Sequence, residues 1–558
     1  MSGYRDRPWL SSYRDGSTDE VATACPDALA MWRDSLRRAG DQPLIYYADT
    51  VHTLAEVDSA SDALAVALAS RGVRQGDRVV LYLQNVPQFV VGLLATWKLG
   101  GVVVPVNPML KERELSYVLA DSGATALICL QELWASVAAK VVEDSPVSVA
   151  VTTSPLDHVP VDLPPSRLSL PLRTVQRVET PGAADLLTLV AQHRGQRPGP
   201  VELAPSDVAA LTYTSGTTGD PKGAMNTHGN VVFTAQVFRD WLGLGTDDTC
   251  LAGAPLFHVT GLIGHAAVAM LVPMPLILGY RFDPATMNDL AERHNATYTV
   301  MAITAYTAMM NDPSIRAHDL SALSKVYSCG APIAPSLVER FERAVGPYIH
   351  NIYGLTETTG PSHAVPLGRR APVDPATGAL SIGVPVPGTA VRVLDDNGDE
   401  VPVGQIGELA ISGPGVVPGY WHRPDATDAA LPGGEMRTGD VGFMDDQGWF
   451  YLVDRKKDMI NTAGYKVWPR EVEDVLMGHQ AVKEAAVIGV PDPYRGETVK
   501  AFVSLRDGAS STPEELIAFC RDNLAAYKYP RVVEICDDLP KTLTGKVLRR
   551  QLRTPACD

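Results

Sequence analysis

The chain lacks any pair of cysteines at metal-ligand spacing. Its seven cysteines stand singly at 25, 129, 250, 329, 520, 536 and 557. An odd, scattered set gives no disulfide framework and fits a reducing cytosol, with most thiols serving as small apolar side chains. No segment is apolar for long enough to span a bilayer. The most apolar stretch, Ala266 to Gly279, holds two prolines and is too short. A buried strand pair or a helix is expected there. Positive charge is also short: the net charge of −16 excludes broad nucleic-acid binding. It leaves anionic substrates open, because a site makes its own local field. Residues 1–20 are polar and mixed in charge, so no secretory leader is expected and the location is read as cytoplasmic. Repeats and low-complexity tracts are not evident.

At 558 residues the chain exceeds one ordinary core, so two or more domains are expected. A hydrophobic content of 45% and a charged content of 20% are those of a globular protein. Arg78 to Leu83 reads as a strand, Pro87 to Leu99 as an apolar helix with proline in its first turn, and Gly101 to Val106 as a strand. Helical periodicity over Glu112 to Ser122 leads into a strand at Ala126 to Leu130. That alternation predicts an α/β fold with a parallel sheet. Residues 153–206, rich in Pro, Arg, Ser and Gly, read as a long surface excursion. A second α/β stretch is expected from about 225 to 355. From 380 to 453, short strands such as Ala390–Leu394 and Gly407–Ser412 alternate with Gly/Pro/Asp turns, which predicts a small twisted or barrel-like β subdomain.

The charged run Asp454–Asp458 then precedes a compact α+β pattern. Helices are expected over Arg470 to Gly478 and Thr512 to Ala526, the latter capped from Ser510, Ser511 or Thr512. Strands are expected at Ala485 to Val490, Val499 to Leu505 and Arg531 to Ile535. The domain boundary is placed near Lys457, giving residues 1–456 and 457–558.

The most informative stretch is Leu211-Thr-Tyr-Thr-Ser-Gly-Thr-Thr-Gly-Asp-Pro-Lys-Gly-Ala-Met225. Thr212, Thr214, Ser215, Thr217 and Thr218 are interleaved with Gly216 and Gly219, and Lys222 follows. Such a loop can turn N–H groups and hydroxyls toward one anion, with a cation in reach, which is chemistry for a polyphosphate. It is not the usual P-loop, because Lys222 lacks the preceding Gly and the following Ser/Thr. A flexible surface turn is the plain alternative. The length of the pattern, after the apolar run Val208–Leu211, favours the anion cradle.

This segment resembles the phosphate-binding signature of the adenylate-forming superfamily, which contains acyl-CoA synthetases, peptide-synthetase adenylation domains and luciferases. Five further segments match in order and extend the resemblance from about 40 to 550. In Pro255-Leu-Phe-His-Val-Thr-Gly261, His258 falls beside the carboxylate entry; a packed histidine is the alternative. Ser328-Cys-Gly-Ala-Pro332 and Asn351-Ile-Tyr-Gly-Leu-Thr-Glu357 form the second match. There Gly330 and Gly354 would let backbone approach a flat ring, and Tyr353 offers it a π face. Ala331, Pro332 and Ile352 flank it. Asn351, where many relatives carry Gln, could read its amino edge. Thr356 would touch phosphate, and Glu357 is a hard oxygen ligand suited to Mg²⁺.

In Met436-Arg-Thr-Gly-Asp440, Asp440 fits a ribose, with Arg455 adding a cation. In the segment from Asp454 to Glu473 the resemblance makes Lys457 the pivot of a swinging C-terminal domain. It sets Gly464 in a pantetheine tunnel and leaves Lys466 non-catalytic. In Leu539 to Arg550, Lys546 matches the lysine that reaches the carboxylate and α-phosphate. Lys541, Arg549 and Arg550 read as an ordinary basic tail.

The resemblance implies two steps. An acid attacks the ATP α-phosphate, pyrophosphate leaves, and the domain swings so that a thiol takes the acyl group. The acid pocket is expected to be lined by His258, Val259, Thr260, Gly261, Met301, Ala302, Ile303 and Cys329. With no evident Asp to hold an amino group, an apolar acyl or aryl tail is favoured, and Thr299 to Met310 resembles medium- and long-chain fatty acyl-CoA ligases. The expected co-substrates are ATP and CoA, with Mg²⁺. No carrier domain follows residue 553, so CoA is the favoured acceptor. A separate acyl carrier protein, a luciferase-type reaction, a homodimer and a catalytically silent acyl-binding protein stay open. Intact Lys222, Glu357 and Lys546 argue against the last.

Overall fold

A computed structural model describes residues 3–14, 18–214, 220–331, 333–375, 377–455, 458–462, 465–492, 495–541 and 547–553. The expected first run is there: Arg78–Tyr82, Pro87–Lys98, Val102–Pro105, Glu112–Ser122 and Ala124–Leu130. Its strands pair in parallel. Val79, Val80, Leu81 and Tyr82 are all fully buried, as befits a strand covered on both faces. Pro87 sits in the first turn of its helix, where a missing N–H costs nothing.

The completed sheet has seven strands. In spatial order they are Ala184–Asp185, Val149–Thr153, Ala124–Leu130, Arg78–Tyr82, Val102–Pro105, Val208–Thr214 and Lys222–Thr227. The last two pair antiparallel, with Thr214 opposite Lys222. Residues 153–206 are more integrated than their composition suggests. Ala184–Asp185 adds the edge strand, and Leu172, Leu186 and Leu189 are buried. Composition reported the turns of this stretch but not the leucines that anchor it.

A second sheet of nine strands takes Pro43–Tyr47 and Thr50–Thr53 from the start of the chain and the rest from 250–385. The stretch Ala266 to Gly279 divides into a buried helix end, Val268–Leu271, and a buried strand, Leu276–Leu278. The β subdomain is an antiparallel sheet of Ala390–Leu394, Gly407–Ser412, Met436–Met444 and Phe450–Arg455.

Strands Ile460–Thr462, Tyr465–Val467, Val482–Asp492, Gly496–Leu505 and Val532–Cys536 form a fourth sheet. Helices Pro469–Met477 and Pro513–Asn523 cover it over a core of their own, including Val472, Leu476, Val487, Leu516 and Cys520. The second helix begins where a capping box forms: Thr512 Oγ1 accepts from Glu515 N, and Glu515 Oε2 from Thr512 N. The boundary residue Lys457 lies outside the described residues, as does Cys557. Among the described residues no helix is long and apolar enough to cross a membrane.

Candidate active site

The residues before and after segment 215–219 are held by side chains from distant elements. Tyr213 donates to Asp121 Oδ2 at 2.8 Å, and Tyr117 donates to the Pro221 carbonyl at 2.9 Å. Both partners sit on the helix Glu112–Ser122. Arg423, next to the β subdomain, pairs with the other oxygen of Asp121. Burial and the neighbouring Asp121 push the Tyr213 hydroxyl above its ordinary range, so it stays a donor.

Lys222 lies over the ring of Tyr420, 5.2 Å from its centre. Tyr420 in turn donates to Glu357 Oε1 at 2.7 Å. Lys222, Tyr420 and Glu357 therefore form one line from the phosphate segment to the expected metal ligand. Asn226, fully buried, joins the same parts a second time. It accepts from Thr212 and donates to the Thr356 carbonyl at 3.2 Å and to Thr359 Oγ1 at 3.0 Å.

The strand Ile349–Leu355 runs into a single turn at Thr356–Thr358 and returns as Gly360–Ala364. Thr359 takes φ 57° and Gly360 φ 147°, which makes the reversal tight. A Cβ at Gly354 would stand 1.9 Å from the Gly360 carbonyl oxygen. The returning strand thus requires glycine at 354. Gly330 is different: its φ is 82° and a Cβ there would meet nothing within 4 Å. That open backbone suits the approach of a flat ring. Ile352 is buried, so only its backbone can face a ligand.

Tyr353 donates to Asp440 Oδ2 at 2.8 Å. Two residues assigned separately, one to a base and one to a sugar, therefore touch. Asp440 is buried, its N–H bonded to Thr438 Oγ1 at 3.1 Å, and it faces Arg455 across the strand pair. Asn351 donates through Nδ2 to the Ser381 carbonyl at 3.1 Å, which fixes the orientation of the amide.

On the acid side, Met301 and Ala302 stand opposite Ser328 and Cys329 on the neighbouring strand. His258 caps a helical turn: Nδ1 accepts from Thr260 N at 3.3 Å, so the ring proton resides on Nε2. Burial pushes the imidazole down to about 4, and it is neutral at pH 7. Thr260 Oγ1 lies 3.5 Å from Cys329 Sγ. Val259, Met301 and Ile303 are buried. Gly261 is needed for packing, since a Cβ there would stand 2.1 Å from the Pro255 carbonyl oxygen.

Ser215, Gly216, Thr217, Thr218, Gly219, Pro332, Lys457, Gly464 and Lys546 lie outside the described residues, as does the side chain of Arg455. Thr214, Lys222, Ala331 and Thr356 are half-buried. The reading of Lys541 and Arg549 as an idle basic tail is corrected. Lys541 pairs with Glu484 at 2.5 Å and Asp538 at 3.0 Å, and Arg549 binds three carboxylates. Their charges are structural, which a run of basic residues alone does not disclose.

The AMP-binding enzyme family matches residues 32–421, and the C-terminal domain of the same enzymes matches 471–546. The chain belongs to the AMP-binding enzyme family. This is the adenylate-forming superfamily its motifs resemble. Over 98% of the chain and 97% of the relative it is 34% identical to a long-chain-fatty-acid–CoA ligase of Bacillus subtilis. It is 36% identical to a feruloyl-CoA synthase of an Amycolatopsis species, over 93% of the chain and 97% of that protein. Its fold superposes on an anthranilate CoA ligase in complex with anthranoyl-AMP, with a TM-score of 0.84 and 27% identity. The match covers 96% of this chain and 98% of that one.

Three residues that hold this AMP-binding enzyme's site together were not singled out from the sequence: Asp121, Asn226 and Tyr420. Asn226 left one faint signal, an amide directly after the apolar pair Ala224-Met225. Asp121 ends an ordinary amphipathic helix. Tyr420 follows a Gly/Pro turn and acquires its role only when the chain folds back on the phosphate hairpin, where Trp421 N donates to the Gly223 carbonyl at 2.8 Å.

Proposed function

We propose that the chain is an ATP-dependent, AMP-forming acid–thiol ligase that activates an apolar carboxylic acid and passes it to CoA. The contact between Tyr353 and Asp440, next to the line Lys222–Tyr420–Glu357, carries this reading. It supplies an adenosine end and a polyphosphate end at one strand terminus. Tyr353 stacks the base beside the open backbone of Gly330, and the fixed Asn351 amide accepts from its amino group. Asp440 accepts from the ribose hydroxyls, as carboxylates do in dinucleotide folds. Thr214, Ser215, Thr217, Thr218 and Lys222 cradle the phosphates.

Glu357 fits Mg²⁺ as a hard carboxylate. One oxygen accepts from a neutral phenol, and no cation pairs with the group among the described residues. The ion, when bound, neutralises charge on the phosphates. The acid carboxylate attacks the α-phosphorus, the bond to the β-phosphate oxygen breaks, and pyrophosphate departs. Lys546 faces the charge that builds up on the α-phosphate. His258, neutral and with its proton on Nε2, can only donate at that atom, which suits a carboxylate oxygen at the pocket mouth. The C-terminal domain then turns about Lys457 and brings Gly464 to the tunnel that admits the thiol.

A fatty acyl chain is the favoured tail, given the small and apolar lining and the fatty-acid ligase relatives. An aryl acid is the second reading, favoured by the comparable likeness to a feruloyl-CoA synthase. The test is exchange of labelled pyrophosphate into ATP with a panel of fatty acids of graded length and aryl acids, followed by product mass with CoA. Exchange with fatty acids and formation of their CoA thioesters is expected. No exchange with any acid rejects the reading.

The hold on the phosphate segment makes its own prediction. Asp121→Ala removes the partner of both Tyr213 and Arg423. Charge-assisted bonds of this kind support a weakening of ATP binding by about tenfold. Titration calorimetry on the folded variant reads it; unchanged ATP affinity would show that these contacts do not shape the cradle.

A further inference from the structure

Arg549 opens the helix Arg549–Arg553, and its guanidinium gathers three carboxylates from three parts of the chain. Nη1 donates to Asp454 Oδ1 at 3.0 Å and Asp458 Oδ2 at 3.2 Å. Nη2 donates to both oxygens of Glu473, at 2.7 and 2.8 Å. The side chains of Asp454 and Asp458 are only 3% and 8% exposed, so these charges depend on one another. Glu473 also accepts from Val487 N at 2.8 Å, Asp454 Oδ2 from Arg470 N at 2.9 Å, and Asp458 from Arg553 at 3.0 Å. Burial pulls against the charge on Arg549, but Glu473, Asp454 and Asp458 outweigh it and hold the guanidinium firmly protonated.

The placement matters more than the strength. Asp454 lies at the end of the strand Phe450–Arg455 in the β subdomain, whereas Glu473 and Arg549 belong to the C-terminal helices. Asp454 and Asp458 flank Lys456 and Lys457, the segment read as the hinge. Lys546 is three residues before Arg549, at most about 10 Å of extended chain. The described residues next to 542–546 are held as well. Lys541 bridges Val547, Leu548 N donates to the Pro540 carbonyl at 2.8 Å, and Lys541 is pinned by Glu484 and Asp538.

We propose that Arg549 is a positioning residue for adenylation: its guanidinium ties Asp454, at the end of the β subdomain, to Asp458 and to Glu473 of the C-terminal helices, and the adenylation step depends on that tie. The proposal rests on the functional reading above. A planar fork can serve Glu473 with one edge and two aspartates with another; a single ammonium cannot. Lysine at this position keeps the charge and loses the geometry.

The experiment uses the full chain with Arg549→Lys, Asp454→Asn and both together, reading three quantities. These are pyrophosphate exchange, thioester formation from supplied acyl-adenylate, and the melting temperature. Arg549→Lys is expected to lower kcat of exchange about tenfold or more, with KM for ATP and the thioester step within about threefold of the unsubstituted chain. Asp454→Asn, which keeps the shape of the side chain, is expected to act in the same direction. The double variant should lose less than the product of the two single losses. Undiminished exchange in Arg549→Lys, or a parallel fall of both half-reactions that tracks the melting temperature, overturns the proposal. Exchange absent from the unsubstituted chain with every acid overturns the functional reading and this proposal with it.

Discussion

Lys546→Ala is expected to lower pyrophosphate exchange by about 100-fold or more, the scale of losing one preorganised partner of a developing charge. Thioester formation from supplied acyl-adenylate should survive far better. The asymmetry follows from chemistry. Negative charge accumulates at the α-phosphate only while the phosphoanhydride breaks. In the second step the phosphate is already a leaving group, and the task is to admit a thiol along the other face of the C-terminal domain. One ammonium therefore serves one half-reaction. Rapid-quench measurement of each step in isolation would separate them, and an equal loss in both would reject the role given to Lys546. Lys222 is the natural control, because it lies over Tyr420 on the phosphate side and its removal should weaken ATP binding before it affects the adenylate.

The second large effect is loss of stability between pH 6.5 and 5. His228, His265, His350 and His363 are buried, with exposures of 1%, 0%, 3% and 0%. Burial pushes the first three down to about 4 and His363 down to about 3. His350 shows why: Nδ1 donates to the Val326 carbonyl at 3.1 Å while Nε2 accepts from Gly368 N at 3.2 Å. A second proton would destroy that acceptor.

An unfolded histidine titrates near 6.5, so below that pH the unfolded chain binds protons the folded chain refuses. Stability is fully present above about 6.5 and falls as pH drops toward 4. Each such group contributes a slope of about 1.4 kcal/mol per pH unit, and four together about 5 kcal/mol per unit. Glu473 and Asp474, whose carboxyls burial pushes up, run the other way, but His258 and His158, also pushed down to about 4 by burial, add to the histidine side. Against a net stability of about 5–15 kcal/mol, the remainder is enough to unfold the chain within about two pH units. Melting temperatures should be level above pH 7 and fall steeply below 6.5, before ordinary carboxylates titrate. A flat profile from pH 7.5 to 5 would contradict the burial of these rings.

The first run of alternating strands and helices was legible to within about two residues, because buried strands read as valine and leucine runs. Arg78–Tyr82 and Glu112–Ser122 are examples. The interleaved glycines and hydroxyls after Thr212 stood out for their unusual composition, and residues 215–219 among them lie outside the described residues. What sequence could not disclose is which neighbour uses the space that a glycine leaves. At Gly354 and Gly261 the missing Cβ makes way for a carbonyl of the chain itself. Nor does local sequence reveal partners supplied from far away. Asp121 and Arg549 look like ordinary surface charges until Tyr213 and Arg423 meet the first and three carboxylates meet the second.

The phosphate stem is held jointly by residues near 120, 213 and 423, and Asp440 completes the contact with Tyr353. Synthesis delivers these parts at widely separated times. A nascent chain that has finished both α/β halves has the Tyr213–Asp121 contact but lacks Arg423 and Asp440. The Tyr353–Asp440 contact can therefore form only after nearly four-fifths of the polypeptide has emerged.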